Sequence, residues 1–330
     1  MKVVEFTRFG PPEQVVDCID VAEPPAPAAD EVLLDVLAFP VDPADVKLIE
    51  GRYSERPALP ARVGAECIAR VIGVGSAVTE LREGDLVMPF ERENWAQRKL
   101  AKAARVMKLP AGIDPLQMCM LKLNPASAHL MMTKYVTLKP GDWLLQDAAN
   151  SGVGRCVIQL ARAAGLKTVN IVRREGLAQE LAALGADVVL VDGDNLAQRI
   201  TAATKGAPIK LAIDAVSGAQ IVRFGDALAD GATIVNYSDL SRQPPQMSSY
   251  QCIFKRLCLT GFGLMWWLQT KPREELVAIY SELAARIADG SLFVPIHKMF
   301  PIEQIKEALT LAKADHRSGK ILILPNGRVG

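Results

Sequence analysis

Histidine is scarce in this chain of 330 residues: His129, His297 and His316 are all there is, and no H-E-x-x-H or related spacing joins them. A metal site or nucleophilic triad built on histidine is not expected. The six cysteines, Cys18, Cys67, Cys119, Cys156, Cys252 and Cys258, are scattered through apolar segments without a C-x-x-C pair, so reduced core thiols are expected rather than a zinc ribbon or a disulfide framework. Long apolar runs are also missing. The longest, Leu259 to Leu268, follows Lys255 and Arg256 and reaches only about half of the ~20 residues that a membrane helix needs. Nor is there an excess of one charge: 38 basic against 37 acidic side chains leave a net +1, which gives no field favouring nucleic acid or an anionic membrane. Glu5 and Arg8 interrupt the amino-terminal apolar residues, so the uninterrupted core of a signal peptide is lacking, and a cytoplasmic protein is expected.

What the chain has is half its residues apolar and enough length for two domains, at roughly 100–200 residues each. As far as about Pro110 the apolar stretches are short, often alternating, and punctuated by Gly and Pro, as in Glu31 to Phe39 and Cys67 to Val74. That pattern predicts a β-rich domain. One helix interrupts it, with Asp42 as N-cap, Pro43 at the first helical position and Gly51 at the stop, so that Tyr53 emerges just beyond the helix end. A Pro/Ala stretch, Glu23 to Ala29, reads as a surface loop.

From about Asn124 the rhythm becomes strand, turn, helix. Apolar strands are predicted at Trp143 to Gln146, Thr168 to Val172, Val188 to Val191, Leu211 to Ile213 and Thr233 to Val235, with helices at Val153 to Ala164, Leu177 to Leu184, Leu196 to Thr204 and Ala219 to Leu228. This is the pattern of a doubly wound parallel α/β sheet. After Pro272 a long helix is predicted to lead to Val294, followed by a helix from about Ile302 and a last strand, Lys320 to Leu324, in a tail too short to be its own domain.

The strongest local signal is the junction Gln146-Asp147-Ala148-Ala149-Asn150-Ser151-Gly152-Val153-Gly154. A bound phosphate needs small residues, so that backbone can approach it, and a helix start that points free N–H groups at it. Ala149, Ser151 and Gly154 occupy the three positions of the G-x-G-x-x-G fingerprint. Only one of them is glycine; the strand before and helix after supply the context, and a tight turn without a ligand is the alternative. At the end of the next strand stand Arg173 and Arg174, where a protein that binds NAD usually has a carboxylate for the ribose. Two guanidinium groups suit a 2'-phosphate, which favours NADPH as cofactor; Glu175 beside them slightly weakens the field, and ordinary solvated charges are the alternative reading.

In the first domain, Val41 to Tyr53 and then Val63-Gly64-Ala65-Glu66-Cys67 resemble the medium-chain dehydrogenase/reductase superfamily, and the likeness extends over essentially the whole chain. Zinc-dependent alcohol dehydrogenases of that superfamily carry Gly-His-Glu where Gly64-Ala65-Glu66 stands, and a catalytic cysteine near Asp42. Both ligands are missing here, as is the cysteine-rich lobe, so the resemblance is to a zinc-free branch, with no metal expected. Within it the chain is similar to the mitochondrial-type 2-enoyl thioester reductases, on Ile49 to Tyr53, Leu123 to Ala128, Asn150 to Gly154 continuing to Ala161, and Val169 to Arg173. Quinone oxidoreductases of the superfamily share a tyrosine-containing loop like that at Tyr53.

The resemblance implies a Rossmann domain plus a β-rich, GroES-like catalytic domain: residues 1–122 with 294–330 for the catalytic part, and 123–293 for the part that binds NADP. It implies Tyr53 as proton donor, Asn124 near the nicotinamide, Asn150, Ser151, Gly152 and Val153 with Gly154 at the pyrophosphate, and Arg173 and Arg174 at the 2'-phosphate. Tyr237, Ser238 to Leu240, Phe262, Gly263, Leu264 and Lys320 match further cofactor-contacting positions, and Trp267 an aromatic position near the acyl pocket. It also implies a homodimer through sheet edges near Cys258 to Phe262. The chain departs from the family at Asp42, usually Asn, at Gly263, usually bulkier, and in the shorter segment from Pro89 to Gln97.

The chemistry agrees. Reducing a double bond conjugated to a thioester places hydride on C3 and leaves an enolate to be protonated at C2, a task suited to a phenol, whose reference pKa is about 10. The expected activity is therefore NADPH-dependent reduction of trans-2-enoyl thioesters on coenzyme A or an acyl carrier protein. An NADPH:quinone oxidoreductase and a non-catalytic dinucleotide-binding protein are the alternatives. Tyr53 as a loop aromatic, Trp266 and Trp267 as hydrophobic wall or dimer surface, and Lys47 with Arg52 as solvated charges are the plainer readings of those residues.

Overall fold

Strand-forming sequence sits at both ends of the chain and helix–strand alternation in its middle, and the fold divides accordingly. The computed structural model describes residues 1–314, 317–327 and 329, and His316 lies outside them. Two compact units form, Met1–Leu123 with Pro272–Gly330, and Asn124–Lys271.

The first unit contains a three-stranded antiparallel sheet in which β1 (Lys2–Phe6) lies between β2 (Val16–Asp20) and β4 (Ala61–Arg62). Its larger sheet is built on β3 (Glu31–Pro40), which pairs antiparallel with β5 (Ile68–Val74) and β7 (Arg98–Lys102). Beyond β5 lie β6 (Leu86–Pro89) and β8 (Val106–Lys108); on the other flank β16 (Lys320–Leu324) joins β3 to the outer β15 (Ile296–Pro301). Phe6, Phe39, Ile49, Trp95, Ile302 and Ile323 are buried together between these elements, with the rings of Phe39 and Trp95 stacked at 5.5 Å. Against this core packs the helix Pro43–Ile49, which starts with Asp42 as N-cap and Pro43 at its first position, as expected, and in addition carries Asp45 as the second member of a capping box. Gly51 takes the left-handed conformation (φ +71) that ends it, and Tyr53 follows in a bend.

The second unit is a six-stranded sheet, parallel throughout, in the order β11 (Val188–Val191), β10 (Lys167–Val172), β9 (Trp143–Gln146), β12 (Ile209–Asp214), β13 (Thr233–Asn236) and β14 (Cys258–Gly261). Order and direction are those of the Rossmann dinucleotide fold, with the strand order reversing beside β9. Helices Gly152–Ala163, Ala178–Leu184, Leu196–Ala203 and Gln220–Ala227 fall within two residues of their predicted bounds. One helix is shorter than predicted: Arg273–Ala288 stops well before Val294, because Gly290 turns left-handed (φ +76) and the Asp289 carboxylate accepts the Ser291 amide at 2.8 Å. Among the described residues no helix is long and apolar enough to cross a membrane.

Candidate active site

In the second unit the chain leaves β9 and turns sharply into the helix Gly152–Ala163. Ala148 is left-handed at φ +44, uncommon for a residue with a side chain, and the Ser151 amide closes the turn onto the Ala148 carbonyl at 2.8 Å. The Ser151 hydroxyl caps the helix by accepting the Gly154 amide at 3.1 Å. Gly154 has no alternative: a Cβ there would lie 2.7 Å from the Ala148 carbonyl oxygen and the Ala149 Cα, both backbone atoms. The one glycine of the fingerprint is thus the one that sterics demand. Buried polar groups hold the turn from behind. Gln146 donates to the Gly154 carbonyl (2.9 Å) and to Asn170 Oδ1 (2.7 Å), while Arg155 donates to the Asn150 carbonyl (3.1 Å) and pairs with Glu180. The remaining free amides of the first helical turn form a seat for an anion.

Around the turn stand side chains from the carboxyl ends of the neighbouring strands. Asp147 accepts the Ala215 amide at 2.7 Å, and Asp214 accepts the Ser217 amide at 3.0 Å and Asn236 Nδ2 at 2.5 Å. Burial, then the Asp214 charge, pushes the Asp147 carboxyl far above its ordinary value. Burial, followed by the Asp147 charge, raises the Tyr237 phenol well above its ordinary range. Ser238 accepts from Asn236 through its carbonyl at 2.8 Å. Arg173 is exposed and Arg174 half-buried where β10 ends. Phe262, Gly263 and Leu264 follow β14, the Phe262 amide reaching Asn236 at 2.9 Å. Trp267 is buried, with the ammonium groups of Lys134 and Lys271 each 5.5 Å from its ring. Asn124 opens the helix Asn124–Thr133 and is buried, yet its Nδ2 has no acceptor among the described residues. A buried amide without a partner is a seat for a ligand's carbonyl, and together with the open helix start it fits a dinucleotide.

Tyr53 and Lys320 belong to the first unit. The Tyr53 ring is half-buried against the core, with the Arg92 guanidinium 4.8 Å above its centre. Lys320 is buried, and its ammonium donates to Asp42 Oδ1. Burial alone would depress that ammonium; Asp42 and Glu66 more than offset it and hold it above its ordinary value. Glu66 accepts the Leu123 amide at 2.8 Å, and burial, then the Asp42 charge, pushes its carboxyl well above its ordinary value. Asp45 is pushed up to about 7 by burial and then by Asp42, and Lys122 down to about 7 by burial, its ammonium donating to the carbonyls of Ala65 (2.6 Å) and Glu91 (2.9 Å). Where the zinc-dependent pattern has its ligands, this chain has the buried carboxyls of Asp42 and Glu66, with the Lys320 ammonium paired to Asp42. Among the described residues no three His, Cys, Asp or Glu side chains are grouped to hold a metal ion. Sequence reasoning passed over Asp147, Asp214, Asp45 and Arg92, none of which carries a local signal.

Sequence models of two families match, the alcohol dehydrogenase GroES-like domain over residues 28–113 and zinc-binding dehydrogenase over residues 152–280. The mitochondrial enoyl-[acyl-carrier-protein] reductase of Rattus norvegicus is 32% identical over 316 residues, 94% of this chain and 84% of that protein. Among solved structures, Etr1p in complex with NADP and crotonyl-CoA is 25% identical with a TM-score of 0.87, covering 98% of this chain and 99% of its own. Quinone oxidoreductase of Escherichia coli in complex with NADPH is 25% identical with a TM-score of 0.89, covering 98% and 100%. These relatives overturn the cytoplasmic expectation, because the matching enoyl reductases of rat and other animals are mitochondrial.

Proposed function

The chain belongs to the medium-chain dehydrogenase/reductase superfamily, and on that premise we propose that this oxidoreductase uses NADPH to reduce the 2,3 double bond of trans-2-enoyl thioesters. The observation that carries the proposal is the likeness, over 94% of the chain, to an enoyl reductase. The capped turn at Ser151 and Gly154 supports it as the seat of the cofactor.

NADPH supplies the hydride that reaches C3. Asn150, Ser151, Gly152 and Val153 hold its pyrophosphate at the helix start, with Gly154 allowing the close approach. Arg173 and Arg174 take the 2'-phosphate, and the Asn124 amide meets the nicotinamide side. Tyr237, Ser238, Phe262, Gly263, Leu264 and Lys320 complete the cofactor's surroundings, and Trp267 forms part of the acyl pocket. Tyr53 gives the proton to C2. The working form is a homodimer joined along the β14 edge, a reading in keeping with the Etr1p/Etr2p heterodimer of the Candida tropicalis reductase.

The likeness to quinone oxidoreductase supports a second reading, hydride transfer to a quinone, for which no positioned acid is needed. One assay separates the two. With crotonyl-CoA the protein is expected to oxidise NADPH much faster than with small quinones, and Tyr53→Phe to lower enoyl turnover about 10²-fold or more at nearly unchanged NADPH affinity. The reverse substrate ranking would reject the thioester, and full turnover in Tyr53→Phe would remove that residue from the reaction.

A further inference from the structure

Arg92 takes no part in the scheme above, and its surroundings are unusual. It lies between β6 and β7 on a segment that is held from several sides. The Glu91 carbonyl accepts from Asn94 Nδ2 and Lys122 Nζ, both at 2.9 Å. The Arg92 carbonyl accepts from Lys99 Nζ at 2.8 Å, and that ammonium also reaches Asn94 Oδ1 at 2.9 Å. Asn94 Nδ2 also donates to the Gly64 carbonyl at 3.0 Å. Glu93 is kept left-handed at φ +64, a conformation that a non-glycine residue retains only where its surroundings over-determine it. The segment therefore presents Arg92 as a fixed group.

The guanidinium it presents is incomplete. The side chain is 14% exposed, and both terminal nitrogens are shielded from solvent with no hydrogen-bond acceptor among the described residues. Asp45 Oδ1 is 4.0 Å from Nη2, too far for a hydrogen bond. On its other side is the face of the Tyr53 ring, which offers no lone pair. A guanidinium stays charged and has five N–H donors, and leaving the terminal ones dry and unpaired is costly unless something else brings the acceptor. That acceptor would be anionic, compact and close to the Tyr53 side chain.

We propose that Arg92 binds the thioester oxygen of the substrate and stabilises it as an enolate, an inference that rests on the enoyl reading. Hydride adds to C3, the electron pair of the C2=C3 bond moves to form C1=C2, and the C1=O pair moves onto oxygen, where the Arg92 N–H groups donate to it. The pairs then return as C2 takes the phenolic proton of Tyr53, restoring the thioester carbonyl and leaving tyrosinate to be reprotonated from solvent.

Acetoacetyl-CoA tests this directly, because its enolate absorbs in the near ultraviolet and reports the charge on that oxygen. Bound to the parent protein with NADP⁺, it is expected to ionise at a pH at least one unit lower than in free solution. Arg92→Gln should abolish the shift, Arg92→Lys should restore part of it, and kcat with crotonyl-CoA should fall by about 10²–10³ in Arg92→Gln with NADPH affinity unchanged. Ionisation on the parent as in free solution would overturn the proposal, and needs no variant to fold; so would a shift that survives in Arg92→Gln. A parent that fails to turn over crotonyl-CoA overturns the enoyl reading, whereas one that turns it over without shifting acetoacetyl-CoA overturns the role of Arg92 alone.

Discussion

Asp45 and Lys122 are buried ionisable groups of the first unit whose pKa values, both about 7, depart from ordinary in opposite directions. An unfolded aspartate titrates near 3.9, so between about pH 4 and 7 the folded chain keeps a proton that the unfolded chain has lost, and stability falls as pH rises. For Lys122 the unfolded value is near 10.4; between about pH 7 and 10 the unfolded chain holds the extra proton, and stability rises with pH. The windows adjoin, so the two contributions together are least favourable near neutrality. Asp45→Asn, which keeps an oxygen to accept the Asp42 amide, should remove the first of them. Its stability relative to the parent should grow by roughly 1–4 kcal/mol from pH 4 to 7 and then level off. A difference in thermal unfolding that is flat across that range would mean that Asp45 is ionised in the fold. Residues differ in how much of this was legible. Gly154 could be read because its need is local, a clash with the turn it closes. The bond from Lys320 to Asp42 spans 278 positions, and the unpaired nitrogens of Arg92 are a property of what surrounds them in space, which no spacing encodes.

Elements were easier to read than residues. Strands buried on both faces of a parallel sheet are nearly continuous apolar runs, which is why β9 could be bounded from sequence to the residue; β11, a half-buried edge strand, was bounded as well because Val188–Val191 is an unbroken β-branched and aliphatic run. The helix Arg273–Ala288 was over-extended because the apolar residues Leu292 to Val294 continue past the Asp289-Gly290 stop. β14 ends the sheet order and carries the proposed dimer contact. The amides of Cys258 and Phe262 bond to the carbonyls of Ala232 and Asn236, at β13 or beside it, so the two-residue period turns Leu259 and Gly261 outward; the Gly261 carbonyl accepts the Tyr135 hydroxyl at 2.9 Å. An outward amide on an edge strand is a template for another strand. Leu259→Pro removes that donor and no ladder bond to β13, so sedimentation should show a dimer for the parent and a monomer for the variant, with far-ultraviolet circular dichroism little changed. A variant that still dimerises would place the contact elsewhere.

At the scale of the whole molecule, each unit has its own buried clusters: Phe6, Phe39 and Trp95 in the first, Leu145, Ile171 and Ile234 in the second. A dinucleotide seated on the second unit should stabilise chiefly that unit, by about 2.7 kcal/mol at a hundred times its Kd. Hydrogen exchange with saturating NADPH should show slowed amides over residues 143–240, with NADH at the same concentration doing far less. In the double variant Arg173→Ala and Arg174→Ala the two cofactors should protect alike; a surviving preference for NADPH would assign the 2'-phosphate to other residues.

β16 adds a constraint of a different kind. It lies inside the large sheet of the first unit, between β3 and β15, and it carries the lysine that pairs with Asp42, although 278 positions separate the two. During synthesis, residues 124–271 can close their sheet while the first 123 still lack its partner strand. Cleavage between β15 and β16 that releases β16 would open the edge of β3 and take the paired ammonium from Asp42, so the integrity of the first unit depends on a segment distant in sequence.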